Sequence, residues 1–142
     1  MKHLLGLVAI LLAIQFVPYG TDHSNPAVDT EPAWDRAATR TLAVRACFAC
    51  HSNETEWPGY ARVAPMSWLV QRDVDEGRRQ LNFSEWQRPQ THADDAPQAV
   101  IEHAMPPLLY RLMHSGARLS DAEREELAGG LQRSLVVATG SR

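Results

Sequence analysis

Apolar positions crowd the start of the chain. Met1 to His3 hold the amino terminus and Lys2, and Leu4 to Val17 is then apolar at every position but Gln15, 14 residues in all. A short positive region before an uncharged run of this length reads as a secretory signal or a signal anchor. A buried core helix fits an extreme N-terminal run behind a lysine less well. As a helix, His3 to Gly20 would cover roughly 27 Å, just short of a hydrocarbon core of about 30 Å. Phe16 and Tyr19 would sit at the far interface, and the positive end would stay in the cytoplasm. No A-x-A site follows, and Pro18 is a poor cleavage context, so residues 1–20 are expected to be an uncleaved anchor rather than a cleaved signal peptide. Residues 21–34 hold Pro26 and Pro32 among Asn, Asp, Ser and Thr and read as an extended tether.

Beyond the tether, the apolar spacing is helical. Asp35 is a candidate N-cap for a helix from about Arg36 to Cys47, with Ala38, Leu42, Val44 and Ala46 inside it. His51–Gly59 reads as loop. Pro65 suits the first turn of a second helix, with Trp68, Leu69 and Val74 in rough phase and Gly77 as its stop. Leu81–Trp86 reads as a short turn capped by Asn82 or Ser84, and residues 87–97 as polar loop. Pro97–Met105 fits a short helix ended by Pro106 and Pro107. Ser120-Asp121-Ala122-Glu123 is a capping box before Leu127, Leu131 and Leu135. Gly129-Gly130 weakens the middle of that last helix, and with it the expected crossing on the helix near Cys47. No alternating apolar run is long enough for a sheet. The expectation is an all-α domain over residues 35–138, with three to five helices and long loops. Its core is thin, and long structureless loops in a compact domain need a reason.

Composition narrows the function classes. The chain has 142 residues, 44% hydrophobic and 22% charged, with a formal charge of −3. That charge argues against general nucleic-acid binding. Lys2 is the lone lysine, so beyond residue 20 the count is 13 arginines against 17 carboxylates, or −4.

Both cysteines fall in Cys47-Phe48-Ala49-Cys50-His51. This is C-x-x-C-H, the attachment signature of a c-type haem. Its spacing lets two thiols reach the two vinyl groups on one porphyrin edge and puts an imidazole under the iron. A plain Cys47–Cys50 disulfide would leave His51 accidental. A thioredoxin-like pair would need a βαβ context. A zinc site would need four ligands, and no second cysteine pair exists. The reading is one covalent haem c, with Cys47 and Cys50 as attachment points and His51 as proximal iron ligand.

The second axial position has several candidates: Met66, Met105, Met113, His23, His92, His103 and His114. Met105 leads. It begins Met105-Pro106-Pro107, 54 positions after His51, and the prolines stiffen the backbone beside the thioether. It also resembles the distal ligand segment of small class I cytochromes c. His114 is the alternative, followed by Met66. For Met66 and Met113 simple packing is the competing reading, for His103 a surface position, for His23 solvation within the tether. An open sixth position would favour ligand binding or peroxidase chemistry. Trp57, Tyr60 and Trp68 are candidate haem-lining aromatics. Arg62, Arg78 and Arg79 are candidate propionate partners, and Asp73, Asp75 and Glu76 read as a solvated face.

Taken together, Cys47-x-x-Cys50-His51-Ser52-Asn53, Trp57-Pro58-x-Tyr60, Pro65-x-Ser67-Trp68-Leu69, Leu81-Asn82-Phe83-Ser84-x-Trp86 and Met105-Pro106-Pro107-x-x-Tyr110-x-x-x-His114 resemble the small bacterial haem-binding domain proteins. The resemblance runs through nearly the whole chain. It implies a cytochrome-c-like helical haem domain, covalent haem at Cys47 and Cys50, His51 as an axial ligand and an extracytoplasmic, periplasmic location. It matches both Met105 and His114 without choosing between them. The expected role is a monohaem one-electron carrier, anchored to the inner membrane by residues 3–20 and meeting redox partner proteins, rather than an enzyme. A haem sensor with an exchangeable sixth ligand is the alternative, and a peroxidase-like enzyme a weaker one.

Overall fold

The computed structural model describes residues 1–139. Its helices are α1 (Lys2–Ala13), α2 (Ala37–Ala46), α3 (Phe48–His51), α4 (Met66–Gln80), α5 (Ala96–Ile101), α6 (Leu108–Met113) and α7 (Asp121–Thr139). Among the described residues there is no strand, only an isolated bridge between Thr30 and Glu85, so the all-α expectation holds. Among the described residues six α-helices follow residue 20, not three to five, because α3, α5 and α6 are one or two turns long.

The core is built on α7. Its capping box forms as the sequence predicts: the Ser120 N–H donates to Glu123 Oε2 at 2.8 Å and the Glu123 N–H to Ser120 Oγ at 3.3 Å. Leu127, Leu131 and Leu135 are buried at four-residue spacing and meet Leu42, Ala43 and Ala46 of α2, with Phe48 and Phe83 beyond. Gly130 does not weaken this crossing; it makes it. A Cβ there would stand 2.5 Å from Thr39 Cγ2, so only glycine lets the α2 and α7 backbones approach this closely.

Asp35 is not an N-cap, since no side chain caps α2. Its carboxylate instead accepts from Thr39 Oγ1 at 2.6 Å and from Arg133 Nε at 2.8 Å, tying α2 to α7. Gly77 is not a stop either. It is buried inside α4, which runs on to Gln80. The helix expected to reach Met105 ends at Ile101, with His103 in the left-handed region at φ 61°. A further helix, α6, starts after Pro107, where the sequence carries no side-chain cap to announce it.

The N-terminal helix is shorter than expected. α1 has 12 residues and continues as a 3-10 turn, Ile14–Phe16, so it ends before Gly20. Its 12 residues measure about 18 Å. No helix among the described residues is long and apolar enough to cross a membrane.

The segment 21–34 is extended, but it lies along the body as a strap. The Asn25 Nδ2 donates to the Thr55 carbonyl at 3.0 Å, and the Thr30 carbonyl accepts from the Trp86 N–H at 2.8 Å. Trp34 closes the strap on the core, 5.2 Å from Phe83 between ring centroids. The joint before it is also fixed. Gln15 exchanges two hydrogen bonds with the Ala64 backbone, both 3.0 Å.

Candidate functional site

The C-x-x-C-H residues straddle the break between α2 and α3. Cys47 ends α2, and its carbonyl accepts from the N–H groups of Cys50 and His51 at 3.1 and 2.9 Å. This single turn presents both thiols and the imidazole together. Behind it runs α4. At Gly77 a Cβ would stand 2.5 Å from the Cys50 carbonyl oxygen, so the glycine lets α4 press on the motif. The turn after α4 locks the other side. The Phe83 N–H donates to the His51 carbonyl at 2.8 Å. Asn82 and Asn53 are both buried and pair at 2.8 Å, and Asn82 Oδ1 accepts from the Ser84 N–H at 2.9 Å. Asn82 thus caps the turn, as one of its two expected candidates.

His51 is oriented by a backbone acceptor. Its Nδ1 lies 3.0 Å from the Leu81 carbonyl. A carbonyl can only accept, so Nδ1 carries the proton and Nε2 keeps its lone pair. Burial pulls the ring's pKa below the ordinary histidine value, against the opposing pull of the Leu81 and Gly77 carbonyls. The result is a neutral imidazole with a fixed tautomer, the form that binds a metal.

The thiols are of the opposite kind to a redox pair. Both are free. Burial, with Cys50 alongside, pushes Cys47 up to about 12; burial, with Asp73 alongside, pushes Cys50 up to about 11. A thioredoxin-like cysteine needs its thiolate stabilised instead.

Two cavities meet at this motif. The smaller, about 300 Å³, is walled by Cys47, Cys50, His51, Phe83, Val100 and Met105, among others. The larger, about 890 Å³, shares Cys50, Asp73, Pro107 and Tyr110 with it and extends to Trp57, Tyr60, Met66, Met113 and His114. Together they give the size and apolar lining of a cofactor site. Trp57 is part of the larger wall, and its Nε1 is buried with no acceptor. A bound group carrying carboxylates would satisfy it. The thiols, the neutral imidazole, the apolar walls and this orphaned donor all fit a haem.

The seven candidates for the distal position separate. Met105 and His92 line the cavity of His51. Met66, Met113 and His114 line the larger one, and His23 and His103 line neither. His114 is already engaged: its Nε2 lies 2.7 Å from Tyr60 Oη, and its ring stacks on Tyr110 at 4.2 Å. His92 is half-exposed and bonds Asp95 through Nδ1 at 2.9 Å. His23, expected in solvent, stacks on Trp57 at 4.6 Å.

Other expectations are corrected. Trp68 lines neither cavity; its backbone packs instead beside buried Gly20. Arg78 donates to the Ser52 carbonyl and Asn25 Oδ1, and Arg79 to Glu76, so neither faces the cavities. Nor does Arg62. The arginines on the walls are Arg40, Arg45 and Arg72. Asp73 belongs to both walls rather than to a plain solvated face, and burial raises its pKa.

The Leu81 carbonyl and Gly77 could not be picked out as site groups beforehand. One is a backbone atom, and the other looks like helix punctuation. Against known proteins, no curated protein and no solved structure matches. A family model described as a haem-binding domain matches residues 9–133, from within α1 to α7. With the match spanning most of the chain and the site fitting that group, the chain belongs to the haem-binding domain family.

Proposed function

We propose that the protein holds one covalent haem c and works as a monohaem one-electron carrier with a cytochrome-c-like haem domain, not as an enzyme. Cys47 and Cys50 are the attachment thiols, His51 the proximal ligand and Met105 the distal one. The observation that carries this reading is the shared wall: both thiols, a neutral His51 with Nδ1 tied to the Leu81 carbonyl, and Met105 border one cavity. Bound haem supplies the one-electron couple, and methionine as the second ligand raises its potential relative to a second histidine. The chain's own part is to hold the imidazole tautomer, keep the ring in an apolar pocket and offer Trp57 N–H to a carboxylate.

Met105 fits better than its rivals because its backbone is held. Its N–H donates to the Ala99 carbonyl at 3.0 Å, and Pro106 and Pro107 follow. His114 is held by Tyr60 in the other cavity and is the secondary candidate.

α1 is apolar, exposed on all sides and led by Lys2. It is the segment that would attach the domain to the outer, periplasmic face of a bacterial inner membrane. The Gln15–Ala64 pairing and the burial of Gly20 make the join part of the fold, which supports a retained anchor over a cleaved signal. Redox proteins in the same compartment would be its partners.

The test is spectroscopic. A methionine–iron charge-transfer band in the near infrared is expected in the oxidised protein. It should vanish in Met105→Ala and persist in His114→Ala and His92→Ala. Exposure of Met105, at 38%, favours one second reading, a sensor with an exchangeable sixth ligand. Ready carbon monoxide binding to the reduced wild type would select that reading.

A further inference from the structure

The fourth residue of α7 is a buried cation. Arg124 is 5% exposed. It sits near a helix N-terminus, where the peptide dipoles disfavour positive charge. Burying a guanidinium is costly unless it is paired. Among the described residues it has no carboxylate partner, and its Nε is buried without an acceptor. What it does touch is specific. One Nη1 donates to the Val100 carbonyl at 2.8 Å and approaches the Met105 carbonyl at 3.4 Å.

Those two carbonyls bracket the segment that brings Met105 to the cavity. Val100 lies in the last turn of α5. The chain then turns through His103, in the left-handed region, and returns to Met105. The Met105 N–H is held by Ala99, again from α5. α5 also accepts from the His103 N–H through the Val100 carbonyl at 3.3 Å, and Arg124 adds a tie from α7 that spans the two limbs of this short hairpin. A helix-end cap would need Val100 alone; the reach to Met105 is what a cap does not explain.

We infer that Arg124 is a positioning residue for Met105, and that its Nη1, shared between the Val100 and Met105 carbonyls, fixes the methionine backbone so that the thioether stays at the iron. This rests on Met105 being the distal ligand. It assigns to α7 a part in the site beyond core packing.

The test is competition for the iron. Haem-loaded, oxidised wild type, Arg124→Gln, Arg124→Lys and Leu127→Ala are titrated with imidazole while the near-infrared methionine band is followed. Leu127→Ala loosens the core face of α7 without removing the Arg124 contacts. A methionine released from its clamp competes less well, so the Kd for imidazole should fall about tenfold in Arg124→Gln. The fall should be smaller in Arg124→Lys, which restores the charge and a donor at a shorter reach. Leu127→Ala should bind imidazole as wild type does, although it unfolds more easily. Wild-type affinity in both Arg124 variants, or an equal fall in Leu127→Ala, would overturn the proposal.

If Arg124→Gln does not fold, the unsubstituted oxidised protein decides. The Arg124 guanidinium protons should exchange slowly with solvent, and faster once saturating imidazole displaces the methionine. Fast exchange from the start would overturn the proposal. A near-infrared band that survives Met105→Ala is a different result: it refutes the ligand assignment itself.

Discussion

Gly77 and Cys50 touch through their backbones: a Cβ on residue 77 would lie 2.5 Å from the Cys50 carbonyl oxygen and 3.0 Å from the Cys50 Cβ. The contact sets how closely α4 approaches the turn that carries both thiols and His51. The obstacle is main chain, so it cannot rotate away. Gly77→Ala should therefore cost about 1–3 kcal/mol, the usual range for overpacking, and should also lower haem incorporation. Urea unfolding and the haem-to-protein ratio of the purified variant check both. An unchanged midpoint with full haem loading would mean that α4 can shift.

Gly130 is as close to its neighbour but faces a side chain. Two of the atoms that a Cβ on residue 130 would meet, Oγ1 and Cγ2, belong to the tip of Thr39. Gly130→Ala alone should destabilise by about 1–3 kcal/mol. Thr39→Ala should relieve part of that in the double variant. A double-mutant cycle measures the coupling, which should favour the pair over the sum of the single changes. Simple additivity would count against this crossing.

Acid should loosen the tie between α2 and α7. Burial raises the Asp35 pKa, but hydrogen bonds from Thr39 and Arg133 outweigh it and hold the carboxyl at about 2 in the folded protein, against an ordinary value of 3.8. A carboxyl with a depressed folded pKa binds protons more readily when unfolded, so its contribution is present above the unfolded value and is lost as pH falls through the folded one. Stability should thus drop between about pH 4 and pH 2, with Asp35 among the causes. Asp35→Asn should be less stable than wild type at pH 7, with a shallower fall over that interval. Urea midpoints at several pH values test this, and parallel curves for the two proteins would contradict it.

Haem binding was more legible in this chain than its architecture. C-x-x-C-H, the capping box and the leucines of α7 all act locally, so spacing alone finds them. Gly77 and Gly130 were misread because glycine ends helices and also permits close crossings, and only the partner helix tells which. The strap over residues 21–34 looked like a tether because its bonds to Thr55, Ser84 and Trp86 are long-range. The Leu81 carbonyl and the reach of Arg124 Nη1 to two carbonyls left no sign in residue type.

The most direct measurement is the mass of the intact protein made in cells that carry c-type haem attachment machinery, taken after acidified-acetone extraction. One haem should stay on the chain, Cys47→Ala and Cys50→Ala should each weaken its retention, and the double variant should release all of it. A wild-type chain that gives up its haem to the solvent, or never carries one, would contradict covalent attachment at Cys47 and Cys50.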